Sequence, residues 1–295
     1  MKRIALFLVV MCYWCVNTAQ ADTLRLAAKP FTEQRVLATL TQQYLEKHGY
    51  DVQITWGVST SVIRPAQLNN ELDMVWEYTG TSLIVYNHVT EVMDAEQSFA
   101  RVAELDGKRG LSWLAPTRFN NTYAVAMPEE FAAREGDLHT LSQFAARLRN
   151  TPEQFHLFAM DYDIGGRIDG VPGMMKRYDF TLSRNEARSM DTGLVYLALR
   201  NRQAYAGVVS VTDGRIGAFG LRVLEDDVHY FPAYNAAPAV RTDYMQAHPD
   251  LAVLLKPLAE ALDDDTMRAL NTRVDVHGEA IAQVAHDFLI QHHLL

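Results

Sequence analysis

Short apolar runs alternate along the chain with longer segments in which apolar residues recur at helical spacing. Leu24–Ala28 and Val52–Trp56 have the pattern of β-strands, and Thr32–Lys47 between them repeats its apolar residues every three or four positions. A second helical segment at 61–71 leads into a short apolar strand at 73–78. Strands that alternate with helices predict an α/β fold with a mostly parallel sheet covered on both faces.

The alternation continues in the second half of the chain. It predicts further strands at 122–127, 155–160 and 206–211, and further helices at 141–148 and 192–202. Beyond residue 249 the pattern is mainly helical, with helices predicted at 251–262 and 279–292. No repeat of roughly 20–50 residues is visible. The pattern therefore predicts α/β architecture and leaves open whether there is more than one sheet.

The first 21 residues have the features of a secretory signal peptide. Lys2 and Arg3 give a positive start, Ile4–Val16 is apolar, and Ala19-Gln20-Ala21 fits a cleavage site. Asp22 is then the predicted first residue of the mature protein. The alternative is an uncleaved anchor, which the apolar run disfavours because a spanning helix needs about 20 residues.

Cleavage would remove both cysteines, Cys12 and Cys15, neither of which follows a small residue as a lipoprotein cysteine would. A mature chain without cysteine is compatible with export to a bacterial periplasm. The mature chain would have 274 residues, and the loss of two positive charges would change its formal net charge from −9 to −11. An acidic chain with no basic stripe argues against nucleic-acid binding, and we expect the mature protein to be soluble.

Residues 73–81, Asp-Met-Val-Trp-Glu-Tyr-Thr-Gly-Thr, end a predicted strand in a stretch suited to ligand binding. Gly80 permits a tight turn, and the hydroxyls of Thr79 and Thr81 can donate hydrogen bonds. Tyr78 can present its ring face to a cation. The alternative is a buried aromatic residue that is followed by an ordinary turn. Glu77, which alternation turns away from Trp76, is predicted to have a structural role.

Four further segments extend this stretch into an ordered series of motifs. In chain order the five are Lys-Pro-Phe-Thr-Glu-Gln at 29–34, Glu-Leu-Asp-Met-Val-Trp-Glu-Tyr-Thr-Gly-Thr at 71–81, Arg-Ile-Asp-Gly at 167–170, Thr-Asp-Gly at 212–214 and Pro-Ala-Tyr-Asn-Ala-Ala-Pro at 232–238. With them the chain resembles the substrate-binding proteins of ABC transporters for glycine betaine, choline and related quaternary amines.

The resemblance implies a two-lobe fold of the periplasmic-binding-protein class (type II-like), in which the chain crosses between the lobes twice. Lobe one would hold 22–120 and 233–295, and lobe two would hold 121–232. The crossings near Asn120-Asn121 and Phe231-Pro232-Ala233 would form the hinge. The ligand would lie in the cleft, and closure of the lobes would bury it.

The resemblance also implies a ligand site with two halves. A trimethylammonium group has no N–H to donate, so aromatic faces suit it, whereas a carboxylate needs charged or hydroxyl donors. The positions that match the aromatic half are Tyr78, Tyr123 and Tyr234. The positions that match the carboxylate half are Lys29, Thr81 and Arg167. A structural alternative for Arg167 is an ion pair with Asp163 or Asp169.

One position departs from the family motif. The family has a Tyr three residues before the Asp of Thr-Asp-Gly, and this chain has Ser210 there. An aromatic cage would lose one wall, at a cost of about 1–2 kcal/mol, or roughly tenfold or more in affinity. Tyr205 or Tyr230 could replace that wall, which the sequence leaves open. The departure bears on which quaternary amine binds.

Motifs for catalysis are missing from the sequence. It has no Gly-x-Ser-x-Gly, no His-Glu-x-x-His and no P-loop, and its ten His are scattered. We expect no metal and no cofactor. The favoured function is a monomeric periplasmic protein that delivers a carboxylate-bearing quaternary amine to an ABC permease in the inner membrane. The alternatives are a protein that binds choline or another methylated amine, a solute sensor that docks to a membrane receptor, and an exported enzyme.

Overall fold

A computed structural model describes residues 23–151 and 156–295, so the predicted signal peptide and Asp22 lie outside the described residues. The strands of this part are, in chain order, β1 (Leu24–Ala28), β2 (Val52–Trp56), β3 (Met74–Tyr78), β4 (Leu111–Trp113), β5 (Tyr123–Pro128), β6 (Phe158–Asp161), β7 (Ala187–Met190), β8 (Ala206–Ser210), β9 (Leu221–Leu224) and β10 (Ala236–Arg241).

The helices lie between and after these strands. They are α1 (Thr32–Lys47), α2 (Thr60–Leu68), α3 (Thr79–Thr81), α4 (Ala95–Gly107), α5 (Glu129–Arg134), α6 (Leu141–Asn150), α7 (Tyr162–Gly166), α8 (Val171–Tyr178), α9 (Thr192–Arg200), α10 (Arg215–Ala218), α11 (Thr242–Ala247), α12 (Leu251–Glu260), α13 (Asp264–Asp275) and α14 (Ile281–Gln291). A π-helical turn, Ser82–Tyr86, continues α3.

The strands form two five-stranded sheets, in the orders β2-β1-β3-β10-β4 and β7-β6-β8-β5-β9. We call each sheet with its helices a lobe, the first being lobe one and the second lobe two. Both sheets are mixed, because β10 runs antiparallel to β3 and β4, and β5 runs antiparallel to β8 and β9. The prediction of a mostly parallel sheet was therefore wrong in this respect, since strands that follow a crossing between lobes enter from the opposite edge.

Helix α1 anchors lobe one and positions the first motif. Its apolar face, including Leu37 and Leu40, is fully buried in a core that also contains Leu255 of α12 and Phe288 of α14. Burial of each such side chain contributes about 1.5–3 kcal/mol. Because β1 ends one short loop before α1 begins, residues 29–34 lie at the carboxyl edge of the parallel strands, where open α/β sheets bind ligands.

The two crossings between the lobes lie side by side. Asn120 and Asn235 form an antiparallel bridge, and the Asn121 N–H donates to the Tyr234 carbonyl at 3.2 Å. The Thr122 hydroxyl also donates to the Pro232 carbonyl at 3.0 Å. The paired crossings bring the start of β5 beside the segment that leads into β10.

The predicted bounds of β1, α1 and β2 are confirmed, and the remaining predicted elements occur with shifted ends. The C-terminal prediction omitted a helix, because α13 lies between the two expected ones. Asp263 caps the start of α13, and its side chain accepts from the Thr266 N–H. Among the residues described, no helix is both long and apolar enough to cross a membrane.

Candidate functional site

A pocket between the lobes contains most of the predicted site residues. Five of the six line it, namely Lys29, Tyr78, Thr81, Tyr123 and Tyr234, and so does Ser210. Lobe one supplies the ends of β1 and β3, and lobe two supplies the start of β5 and the end of β8. The motifs therefore meet in one cleft, although they are distant in sequence.

Four aromatic rings line this pocket in two pairs. The centroids of Tyr123 and Tyr234 lie 5.2 Å apart with the rings nearly perpendicular, and those of Phe31 and Tyr78 lie 6.2 Å apart with the rings stacked. Burial raises the pKa of all three tyrosine hydroxyls well above the ordinary value, which shows how little water these groups contact. The rings can offer their faces to a cation in a water-poor site.

Phe31 was not among the predicted site residues. It belongs to the first motif, in which the family match pointed to the lysine, and its ring lines the pocket and stacks on Tyr78. We refer to Phe31, Tyr78, Tyr123 and Tyr234 as the aromatic cage.

Ser210 lies directly opposite Tyr123 in the antiparallel pairing of β5 and β8. It lines the pocket, so a serine rather than an aromatic ring lies beside Tyr123 on this side of the cage. Neither suggested replacement is there. Tyr205 packs against Phe131, Phe144 and His156 in the interior of lobe two, and the Tyr230 hydroxyl donates to the Gly170 carbonyl at 2.8 Å outside the pocket lining.

Lys29 is buried with a carboxylate partner. Its ammonium lies 2.6 Å from Glu77 Oε1, and the two side chains are 5% and 1% exposed. The same carboxylate accepts from the Tyr78 N–H at 2.9 Å and from the Tyr86 hydroxyl at 3.2 Å. The charge of Glu77 thus balances the charge of Lys29 behind the pocket. Strand alternation did not predict this contribution to the site.

Arg167 lies beside the cage but outside the pocket lining. Its guanidinium pairs with Asp169, through Nε to Oδ1 at 2.8 Å, and makes a longer contact of 3.3 Å with Asp163. The structural alternative from the sequence therefore occurs, although in a buried setting, since the side chain is only 8% exposed. The guanidinium carbon lies 6.0 Å and 5.8 Å from the ring centroids of Tyr123 and Tyr234.

Asp169 connects Arg167 to the cage. The Tyr234 hydroxyl donates to Asp169 and accepts from Arg167 Nη2 at 3.2 Å. Two residues of the third motif, Arg167 and Asp169, therefore fix the orientation of the Tyr234 ring.

Gly80 has a different role from the one its motif suggested. It lies in the helical turn α3 and is not among the glycines with positive φ. A Cβ at this position would lie 2.7 Å from the Tyr234 ring and 2.8 Å from the Ala233 carbonyl oxygen. Glycine is required here because the backbone of the second motif packs against the ring of the fifth.

Glu33 is a buried carboxylate at the centre of the site. It is 3% exposed, lines the pocket and accepts four hydrogen bonds from side chains of both lobes. The donors are Tyr78 at 2.7 Å, Asn121 at 2.8 Å, Thr212 at 2.6 Å and Asn271 at 3.3 Å. Burial raises the pKa of Glu33, and the four donors oppose that rise.

The lobes also touch at a second place, between the Thr-Asp-Gly motif and α13. The Asn271 amide donates to the Thr212 carbonyl at 3.0 Å, and Arg215 lies 3.4 Å from Asp275. Gly214 packs directly on Thr272, with no room for a Cβ.

The pocket is acidic as well as aromatic. Its lining includes five carboxylates and two cationic side chains, which are Glu33, Asp161, Asp163, Asp213 and Asp275, and Lys29 and Arg215. Within 23–151 and 156–295, no cluster of three or more His, Cys, Asp or Glu has the arrangement of a metal site. The geometry suits a small organic cation that is enclosed when the lobes meet.

Replacing Phe31 with leucine tests whether its ring belongs to the cage. The change keeps apolar volume but removes the π face, so we expect roughly fivefold weaker binding of glycine betaine, about 1 kcal/mol. Calorimetric titration measures the loss, and Phe31→Tyr, which keeps a ring, should bind within about twofold of the original chain. Equal binding by the leucine variant would remove Phe31 from the cage.

Comparison with known proteins shows which family matches this chain. The profile of the OpuAC family, described as the substrate binding domain of ABC-type glycine betaine transport system, matches residues 22–291. A glycine-betaine-binding protein of Pseudomonas aeruginosa is 51% identical over 301 residues, which cover 100% of this chain and 96% of that protein.

Two further similarities extend the comparison. The Helicobacter pylori protein named ergothioneine transport permease/ergothioneine binding protein EgtU is 30% identical over 97% of this chain, which spans about half of that longer protein (52%). A solved structure described as a glycine betaine/carnitine/choline ABC transporter superposes with a TM-score of 0.74 at 26% identity, covering 92% of this chain and 99% of its own.

Proposed function

The chain belongs to the OpuAC family of substrate-binding domains of ABC-type glycine betaine transport systems, and on that premise we propose that it binds a quaternary ammonium compound and delivers it to an ABC permease. The observation that carries the proposal is the pocket itself. Four aromatic rings from both lobes line an acidic cleft, which is the environment that a cation without hydrogen-bond donors requires.

The ligand we favour is glycine betaine, with its trimethylammonium group in the cage and its carboxylate toward Lys29, Thr81 and Arg167. The Lys29 ammonium has three donors, and within the described residues its hydrogen bond goes to Glu77, which leaves donors for a ligand. Choline and larger betaines such as carnitine or ergothioneine are the runners-up, since a serine in place of a ring at position 210 would leave room for other substituents.

The ion pairs of Lys29 and Arg167 bear on the choice between a betaine and choline. From the sequence, a carboxylate-bearing ligand is favoured because choline would leave the charges of Lys29 and Arg167 unpaired on burial. Glu77 and Asp169 already neutralise these two groups, so their charges alone no longer exclude choline. Among the described residues, Lys29 and Thr81 keep hydrogen-bond donors at the pocket, and the preference for a betaine now depends on these donors and on Arg167 beside it.

We further propose that lobe one comprises 22–120 and 233–295 and that lobe two comprises 121–232, with the paired crossings as the hinge. The bridge between Asn120 and Asn235 supports a hinge at this place, because it ties the two crossings together. Rotation about it would open and close the cleft.

The proposed setting is the periplasm, which the protein would reach through cleavage of the signal peptide at 1–21. It would act there as a monomer, without turnover of its ligand, and dock to a permease in the inner membrane. A solute sensor on the same fold is the second candidate. Uptake of labelled glycine betaine that depends on both this chain and the permease would favour transport over sensing.

Calorimetric titration of residues 22–295 tests the proposal directly. The panel is glycine betaine, choline, proline betaine, carnitine and ergothioneine, with glycine as the unmethylated control. We expect saturable binding of at least one methylated amine and none of glycine. If no member of the panel binds, the proposal is wrong.

Replacing Arg167 with alanine separates its two roles. Loss of its contact with Tyr234 and Asp169 should weaken every ligand, and loss of a carboxylate donor should weaken glycine betaine by roughly a further tenfold relative to choline. The matched variant Asp169→Asn disturbs Tyr234 but keeps the guanidinium and leaves its charge unpaired, so it should weaken choline more than glycine betaine. Equal losses in Arg167→Ala would mean that Arg167 acts through Tyr234 only.

A further inference from the structure

Among the described residues, Glu33 and Asp161 are the charged side chains of the pocket lining that have no ion pair within 4.0 Å. Glu33 is buried, whereas Asp161 is partly exposed and accepts from the backbone N–H groups of Asp163 and Ile164. Lys29 is paired with Glu77, Arg167 with Asp169, and Arg215 with Asp213 and Asp275. Among the described residues, Glu33 has no ion pair within 4.0 Å, and its four hydrogen-bond donors are all neutral groups.

The unpaired carboxylate lies against the cage. Tyr78 donates its hydroxyl to Glu33 at 2.7 Å while its ring lines the pocket, and Glu33 itself also lines the pocket. Each carboxylate oxygen accepts two hydrogen bonds, so the charge is held in one position rather than free to turn away. When the lobes close, water is excluded from the pocket. A fixed negative charge beside the pocket then attracts a cation far more strongly than the same charge would in bulk water.

Glu33 also joins the lobes. It lies on α1 of lobe one, and its shortest hydrogen bond, 2.6 Å, comes from the hydroxyl of Thr212, which follows β8 of lobe two. Asn271 reinforces this junction, because its amide donates to both Glu33 and the Thr212 carbonyl. The set of hydrogen bonds that positions the carboxylate is therefore complete only when the lobes are together.

We propose that Glu33 is the counter-charge for the bound ammonium group, and that Thr212 couples the position of that charge to closure of the lobes. The inference rests on the proposed function and deepens it. The aromatic cage selects the shape and polarizability of a methylated group, and Glu33 selects its positive charge. A neutral ligand of the same shape then gains the cage contacts but not the interaction with Glu33.

The test compares ligands that differ only in that charge. The first pair is choline and 3,3-dimethylbutan-1-ol, and the second is glycine betaine and 3,3-dimethylbutanoate, in which carbon replaces the ammonium nitrogen. The ratio of dissociation constants within a pair measures selection for charge. The isosteric change Glu33→Gln removes the charge but keeps an oxygen acceptor, and the neighbouring hydroxyls can accept from its amide.

We expect Glu33→Gln to lower the ratio at least tenfold, with most of the loss on the charged ligand. Thr212→Val keeps the charge but removes the hydrogen bond between the lobes, so it should weaken both ligands of a pair and leave the ratio within about twofold. A purely structural role for Glu33 would instead weaken both ligands equally in Glu33→Gln. Circular dichroism and thermal unfolding establish that each variant is folded.

Glu33→Asp tests the inference independently of Glu33→Gln, the variant that removes the charge. It keeps the charge but withdraws it by one methylene, so the ratio should fall about threefold. An unchanged ratio in the folded Glu33→Gln or Glu33→Asp variant overturns the inference while the proposed function stands. Absence of binding of every methylated amine in the panel to the unaltered protein overturns the proposed function and this inference together.

Discussion

Tyr234→Ala is expected to abolish measurable binding of glycine betaine and choline, a loss of at least a hundredfold. Tyr234 is 2% exposed, pairs with Tyr123 at 5.2 Å and forms one side of the cage. Truncation removes a desolvated cation–π contact of up to about 2 kcal/mol and leaves a cavity that releases Tyr123. It also removes the hydroxyl that holds Asp169.

Two variants control this experiment by calorimetric titration. Tyr234→Phe keeps the ring and loses only the hydroxyl, so it should bind within about tenfold of the unaltered protein. Tyr44→Ala truncates another buried tyrosine, in the core of lobe one away from the pocket, and should lower the melting temperature without weakening binding. A folded Tyr234→Ala that binds within tenfold of the unaltered chain would exclude Tyr234 from the cage.

Gly214→Ala is expected to weaken ligand binding at least tenfold by holding the lobes apart. The backbone of Gly214 (φ −65°, ψ −21°) is compatible with alanine, so lobe two itself should fold normally. An added Cβ would lie 2.6 Å from the Thr272 Cα of lobe one and closer still to its hydroxyl, so the backbones must separate. Separation would loosen the adjacent contacts of Thr212 with Glu33 and Asn271.

Gly217→Ala is the matched control for this variant. Gly217 lies three residues further on, in α10, with nothing within 4 Å of an added Cβ. We expect its affinity to stay within about twofold. Small-angle scattering with saturating glycine betaine should show a smaller decrease in the radius of gyration for Gly214→Ala than for Gly217→Ala. Equal affinity in the two variants would mean that closure does not need this contact.

Local periodicity predicted the elements that bury one face against a single neighbouring layer. The bounds of Thr32–Lys47 agree with those of α1 because its apolar residues repeat at helical spacing and all meet one core. It did not predict β10, whose residues are small and include Pro238, a residue that argues against an inner strand. β10 joins the first sheet because the chain returns from lobe two, and a local sequence pattern does not predict such a return.

The ligand site likewise has features that the sequence predicted and features that it did not. The resemblance to the family predicted that Tyr78, Tyr123 and Tyr234 share one pocket, and the structure brings these rings together. The partners of Lys29 and Arg167 and the role of Phe31 depend on packing that motif matching does not describe. Glu33 is the clearest case, because its shortest hydrogen bond joins residues 179 positions apart.

The central claim is that a quaternary ammonium group is held between the lobes by the aromatic cage. The most direct measurement is the crystal structure of residues 22–295 with glycine betaine, or with choline if only choline binds. The account predicts the ammonium nitrogen within about 6 Å of the ring centroids of Phe31, Tyr78, Tyr123 and Tyr234. A ligand bound elsewhere, or one whose ammonium group faces away from these rings, would contradict it.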